Sequence, residues 1–138
     1  MRTVLKVAVL ALMACSAVLL GLGLLFWSGN AYGLVGIHVA LGLVLVGSLW
    51  TVAGIAARAG VPAGPVALAA GWGLLVLALG MRQQVLLPGA WHWVVEVVHL
   101  VVSMGAVAWG RYLARQVGKV VASRAGARVA APVVSADR

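Results

Sequence analysis

The sequence predicts an all-α integral membrane protein, an antiparallel bundle of four transmembrane helices. Of its 138 residues, 64% are apolar and only 9% are charged, whereas roughly 25% of the residues in soluble domains are charged. Residues 7 to 57 contain no Asp, Glu, Lys or Arg. A water-soluble fold of this size could not hide so much apolar surface. Because a spanning helix needs about 20 mainly apolar residues, the first 113 residues have room for four spans and short loops.

Glycine, proline and asparagine clusters divide the apolar sequence into these spans. The expected limits are about residues 4 to 27, 32 to 57, 66 to 81 and 90 to 111. Each span is expected to be a helix, because lipid leaves unpaired backbone groups unsatisfied. The first span has 21 uncharged residues after Lys6, more than a signal peptide needs, so we expect it to remain as an anchor rather than be cleaved.

Lysine and arginine fall almost entirely on one side of the predicted bundle. With the N-terminus inside, the inner segments hold nine of the ten and the outer loops hold only Arg82. This asymmetry follows the positive-inside rule and predicts that both termini are cytoplasmic, in a cell membrane such as a bacterial inner membrane. Topology therefore explains the net charge of +8, and no nucleic-acid partner is expected. Tryptophans are expected near both boundaries: Trp27, Trp91 and Trp93 outside, and Trp50, Trp72 and Trp109 inside.

The last segment, residues 114 to 138, is a basic tail. Arg111, Arg115 and Lys119 recur every four residues and therefore share one helix face. One interpretation is a topology anchor that extends helix four into water. The other is a surface helix on anionic lipid, where each basic residue contributes about 1 kcal/mol. We expect the tail to begin as a helix and to be disordered from Pro132 onward.

A few polar side chains lie within the spans, where ionisable residues are candidates for function. They are His38 on helix two and His92, Glu96 and His99 on helix four, with Arg82 at the outer edge. The three on helix four fall within about 60° of one another, so we expect them to point into the bundle. An ionised Glu96 there needs a partner; the alternative is a neutral carboxyl that links helices by hydrogen bonds.

His38 faces an apolar strip with Gly42 one turn away. One interpretation of a lone histidine beside small residues is an interhelical hydrogen-bond partner. The other is a haem ligand, because a haem site needs an imidazole, a gap that admits the porphyrin edge, and apolar walls. Bis-histidine haem requires two imidazoles on facing helices at similar depth. Counting from the outer helix ends pairs His38 with His99, whereas counting from the inner ends pairs it with His92. We expect the first pairing, with Arg82 and His92 placed to meet the anionic propionates.

Two segments, Ile37-His38-Val-Ala-Leu-Gly42 and Val98-His99-Leu-Val-Val-Ser103, carry a resemblance to known proteins. Four spans with one histidine on helix two and another on helix four resemble the small four-helix b-type cytochromes and the half-bundles of the haem A synthase family. The resemblance implies haem b with His38 and His99 as axial ligands, for electron transfer or ligand sensing. Span one contains no acidic residue and no histidine, so the family's second haem site and catalytic glutamate have no counterpart.

A non-haem metal site is an alternative use of the same polar residues. Its ligands would be His38, His92, Glu96 and His99. Glu-x-x-His on one helix is a ligand pattern of di-iron bundles, but with one glutamate the set predicts a single zinc, copper or iron ion.

A cofactor-free accessory or assembly subunit of a larger membrane complex is the third hypothesis. Small-residue pairs on span three, Ala67/Gly71 and Ala69/Gly73, permit close helix contacts with a partner or with another copy of the chain. No Ser/His/Asp set or pair of catalytic carboxylates is available, so the sequence does not favour a stand-alone enzyme.

Overall fold

A computed structural model describes residues 1–130, and the surroundings of side chains up to residue 127. The described part is helical and contains no strand. Its elements are α1 (Arg2–Trp27), α2 (Val35–Ala59), α3 (Ala63–Arg82) and α4 (His92–Ala130), with short 3-10 turns at Tyr32–Leu34 and Gln83–Val85. All four helices are long and apolar enough to cross a membrane. The predicted all-helical fold with four helices is confirmed.

The turn between α2 and α3 shows why successive helices run antiparallel. Gly60 ends α2 with a φ of +88°, a conformation that glycine adopts without steric cost. The N–H of Gly60 donates to the carbonyl of Ala57, and the N–H of Val61 to that of Ala56, both at 3.0 Å. This Schellman arrangement satisfies the last carbonyls of the helix. Pro62 then leads directly into α3, so the chain reverses within three residues.

Helix α2 occupies a central position in the bundle. It packs against α1, α3 and α4, while α4 also packs against α1 and α3. The two even-numbered helices therefore meet across the diagonal of the bundle. As alternate helices of an up-and-down chain, α2 and α4 run parallel to each other.

The buried core lies toward one end of the bundle. All buried residues of α2 fall between Leu45 and Ala59, and α4 adds Ala106, Leu113 and Val117 at 0–3% exposure. We call this the basic end, because α1 begins there and most of the basic residues lie there. At the opposite end, α1 and α3 finish and α2 and α4 begin. All three histidines lie toward that end, which we call the histidine end.

A tryptophan set against a glycine joins successive helices. The Trp72 indole on α3 lies against Gly105 on α4, where a Cβ would be 2.6–2.7 Å from three ring atoms. Its Nε1–H donates to the carbonyl of Val102 at 2.7 Å. An equivalent contact joins α2 to α3. The Trp50 indole lies against Gly73, and its Nε1–H donates to the carbonyl of Ala70. Both indoles therefore bond to a neighbouring helix, in addition to any role at a membrane boundary.

Helix α4 is longer than the predicted fourth span, because it continues to Ala130. Leu113 and Val117 are 0% and 3% exposed, so packing against the bundle continues past residue 113. Apolar residues three to four apart persist through the basic stretch, which gives the helix a continuous face to bury. The disorder predicted from Pro132 onward lies outside the described residues.

Candidate functional site

The contact between Leu49 and Gly110 fixes the register of α2 against α4. A Cβ at Gly110 would lie 3.6 Å from Cδ1 of Leu49, so these positions face each other. His38 precedes Leu49 by eleven residues, and His99 precedes Gly110 by eleven. Because eleven residues make about three helical turns and the helices run parallel, His38 and His99 lie on the facing sides of α2 and α4 at the same depth.

The two imidazoles of this histidine pair share an unusual environment. Both residues are half-buried. The Nδ1 atom of His38 and that of His99 are each buried without a hydrogen-bond partner. A buried polar atom left unpaired costs about 1–3 kcal/mol. Two such atoms on facing residues mark this pair as the strongest candidate site in the described chain.

Aromatic rings cover one side of His38. The ring of Phe26, near the end of α1, lies 5.3 Å from the imidazole between centroids, at an interplanar angle of 56°. Phe26 also stacks on Tyr32, with centroids 6.2 Å apart and planes at 12°. Because α1 and α2 are joined by a short connection, this aromatic cluster forms at the turn and gives His38 an apolar wall.

Gly80 on α3 makes room for His99. A Cβ at Gly80 would lie 3.2 Å from Cε1 and 3.9 Å from Nε2 of the imidazole. The ring therefore packs directly against the backbone of α3. A larger residue at position 80 would have to displace the ring, so this glycine helps to set the position of His99.

Gly42 and Arg82, predicted to admit a haem edge and to bind its propionates, lie toward the histidine end. A Cβ at Gly42 would meet no atom within 4 Å, so open space lies beside this residue, one turn from His38. Arg82 is the last residue of α3 and is exposed. It follows Gly80 by two residues, about 3 Å along the helix axis. Its backbone therefore lies near the level of His99.

His92 and Glu96 form a separate pair at the start of α4. Nε2 of His92 is 4.0 Å from Oε1 of Glu96, and the two side chains are 33% and 37% exposed. Nδ1 of His92 lies 3.2 Å from the carbonyl oxygen of Leu86 in the preceding loop. Because α4 begins at His92, Glu96 is only about 6 Å from the helix start. The expectation that this whole polar stripe points into the bundle therefore fits His99 better than these two residues.

The four predicted metal ligands do not converge on one point. Among the residues that the structure describes, no three His, Cys, Asp or Glu side chains are grouped so that they could hold a metal ion. The histidine pair and the His92–Glu96 pair thus remain two separate groups. The arrangement offers two imidazoles to a ligand and lacks the third side chain that a non-haem site requires.

Phe26 and Gly80 contact the histidine pair but were not among the predicted site residues. Phe26 is the only phenylalanine of the chain, and its place at the end of the first span, facing the start of the second, was the available signal. Nothing distinguished Gly80 from the other 17 glycines. No family model matches the chain, and no curated protein or solved structure shows significant similarity to it.

Proposed function

We propose that this protein is a four-span membrane protein that binds haem b between His38 and His99. It would use the haem for electron transfer or ligand sensing near the outer face of the membrane. The observation that carries the proposal is the facing of two imidazoles at one depth, each with a buried unpartnered nitrogen. Bis-histidine ligation of haem needs two histidines placed in this way.

The proposal places the basic end, and with it both termini, on the cytoplasmic side. Nine of the ten lysines and arginines belong to the predicted inner segments, as the positive-inside rule requires. Helices α1 and α2 have 26 and 25 residues, or about 39 and 38 Å, which exceeds the roughly 30 Å of bilayer hydrocarbon. His38 is the fourth residue of α2, so the histidine pair lies near the outer surface.

The chain's own residues account for the parts of a haem site. His38 and His99 supply imidazole ligands, and Phe26 provides an apolar wall. The open space beside Gly42 admits bulk that a side chain would exclude, and the exposed Arg82 offers a cation to carboxylates. Haem b, when bound, supplies a one-electron iron couple whose potential depends on its axial ligands and its burial.

A single haem at this depth serves partners on the outer side. The described part of the chain offers no second pair of histidines toward the basic end, where an electron crossing the membrane would need its next site. Electron transfer therefore requires a redox partner at the histidine end, whereas ligand sensing requires access from the same side to the space near the pair.

The test is the absorption spectrum of the protein purified in detergent from haem-replete cells, oxidised and then reduced with dithionite. We expect a Soret band with sharp reduced α and β bands, the spectrum of a low-spin b-type haem. His38→Ala and His99→Ala should each lose these bands. His92→Ala is the matched control, because this histidine is partly exposed and bonded to the Leu86 carbonyl.

Two results would contradict the haem proposal. The first is a flat spectrum from the folded wild-type protein expressed with sufficient haem. The second is loss of the bands in His92→Ala but not in His99→Ala. That result would show that His92, and not His99, is the second ligand. Circular dichroism of each variant separates loss of haem from loss of the helical fold.

A cofactor-free accessory subunit is the second candidate, and the outer face of α3 favours it. Ala67 and Gly71 are exposed, and a Cβ at Gly71 would meet no atom within 4 Å. In contrast, Ala69 and Gly73 are buried inside the bundle. The exposed pair has the spacing at which helices in membranes approach closely, so it is free for a partner helix or another copy.

Purification in a mild detergent tests this second candidate. A colourless wild-type protein that co-purifies with a stoichiometric membrane partner, and loses it in Gly71→Leu, would support the accessory function. Gly64→Leu provides a control on the same helix, because Gly64 is also exposed and free of contacts. Equal retention of the partner by both variants would contradict an interface at Ala67 and Gly71.

A further inference from the structure

A groove on the exposed lateral surface of the bundle runs between α1 and α4, away from the histidine pair. Its volume is about 360 Å³, and its lining residues are Ser16, Met104, Val107, Ala108, Arg111 and Arg115. We propose that this groove binds an anionic phospholipid of the cytoplasmic leaflet. The phosphate lies at the two arginines and an acyl chain lies along the apolar residues. This proposal rests on membrane insertion with the basic end inside, but not on haem.

The depth of Arg111 is the first reason for the proposal. Its neighbour Gly110 packs against Leu12 and against Leu49, and each of these leucines is ten residues from the basic end of its helix. Ten residues correspond to about 15 Å of helix. Along the helix axis, the backbone of Arg111 therefore lies well away from the basic end of the bundle. Its side chain is nevertheless exposed on the lateral surface of the bundle.

A missing counter-ion is the second reason. Within residues 1–127 the one acidic side chain is that of Glu96, which precedes Arg111 on α4 by fifteen residues, or about 22 Å. A cation at hydrocarbon depth is costly unless it reaches the interface or pairs with an anion. The methylene stem of Arg111 can carry its guanidinium group part of the way toward the headgroups. A lipid phosphate held in the groove supplies the charge that the described chain lacks.

The order of apolar and basic residues along the groove matches a phospholipid in the cytoplasmic leaflet. Met104 and Val107 lie toward the middle of the bundle, and Arg111 and Arg115 follow them toward the basic end. Two guanidinium groups provide forked donors that suit phosphate oxygens, and Ser16 lines the α1 side of the groove nearer the middle of the bundle. A free phosphate ion would use the arginines alone, whereas a phospholipid also covers the apolar floor. Basic pockets between membrane helices on this side are typical lipid-headgroup sites.

The experiment measures the thermal unfolding midpoint of detergent-purified protein during titration with dioleoyl phosphatidylglycerol. We expect the anionic lipid to raise the midpoint in a saturable way, because a ligand that binds only the folded state stabilises it. Dioleoyl phosphatidylcholine and inorganic phosphate should not. The Arg111→Gln/Arg115→Gln variant should lose the shift. The Arg58→Gln/Arg124→Gln control removes the same charge from the same end outside the groove, and should keep it.

A second variant tests the apolar floor without altering charge. Val107→Trp fills the groove, and we expect it to weaken binding of phosphatidylglycerol by roughly tenfold, equivalent to 1.4 kcal/mol. If the double arginine variant does not fold, this variant decides the question. An unchanged phosphatidylglycerol shift in Val107→Trp, or an equal response of wild type to phosphatidylcholine or inorganic phosphate, overturns the proposal. The haem spectrum is recorded in parallel, so failure of haem binding is distinguished from failure of lipid binding.

Discussion

The imidazole of His99 lies over Gly80, so near that a Cβ at position 80 would be 3.2 Å from its Cε1 atom. Glycines elsewhere at this end behave differently. A Cβ at Gly36 or Gly42 would have no neighbour within 4 Å. Gly80 is therefore distinguished by the ring that packs on it, and the position of one proposed ligand depends on α3 as well as on its own helix.

Gly80→Val should impair haem binding without removing either ligand. The branched side chain cannot fit beneath the imidazole, so the ring must move. Loss of a hydrogen bond that orients a ligating histidine typically weakens metal binding by about 10–100-fold, and we expect a loss of the same order when the ring itself is displaced. The measurement is haem content per chain and the position of the reduced α band. Gly36→Val introduces the same residue into open space near His38 and should leave both unchanged. Identical spectra for the two variants would contradict a positioning role for Gly80.

Gly105→Ala should destabilise the bundle through Trp72. The added methyl group meets the indole ring, which must move and lose its bond to the Val102 carbonyl, so overpacking should cost about 1–3 kcal/mol of unfolding free energy. At the exposed Gly71, alanine meets nothing and improves helix propensity by up to about 1 kcal/mol. Reversible unfolding in detergent, followed by tryptophan fluorescence, compares the two. Equal stability of Gly105→Ala and Gly71→Ala would contradict the proposed packing contact.

Helix number and approximate position could be predicted from the sequence, because length, hydropathy and turn residues determine them. Span one was expected at about residues 4 to 27, and α1 covers Arg2–Trp27. The fourth helix was less predictable. Arg111 suggested a membrane boundary, but a buried Leu113 and Val117 two and six residues later keep the helix packed on the bundle.

The rotation of each helix could not be predicted in the same way. A helix in lipid is apolar on both its core face and its lipid face, so hydrophobic periodicity does not indicate which side points inward. Polar residues provided the only direction, which explains why the sequence singled out His38 and His99. Phe26 and Gly80 carry no polar signal, and their contacts depend on rotations that only the folded bundle defines.

Glu96→Gln should leave haem content and total metal content unchanged. The carboxylate is 37% exposed, and its nearest ionic partner is His92 at 4.0 Å. It therefore lies outside the histidine pair and completes no three-residue metal group in the described chain. Elemental analysis of wild type and variant, purified side by side, checks this expectation. Stoichiometric non-haem zinc, copper or iron in wild type that disappears in Glu96→Gln would instead support the single non-haem metal site.

Arg124 should stabilise the junction between α4 and the end of α2. A Cβ at Gly60, which ends α2, would lie 2.7 Å from Nη2 of Arg124. The guanidinium thus lies where the carbonyls of α2 give its terminus partial negative charge, an interaction typically worth about 0.3–1 kcal/mol at low ionic strength. We expect Arg124→Gln to lose that amount in low salt, measured by unfolding in detergent. Because salt screens exposed charges, the loss should shrink in high salt. Lys119→Gln removes an exposed charge from α4 without this contact and should change stability less. A loss that is equal for both variants, or independent of salt, would show that Arg124 does not act on the end of α2.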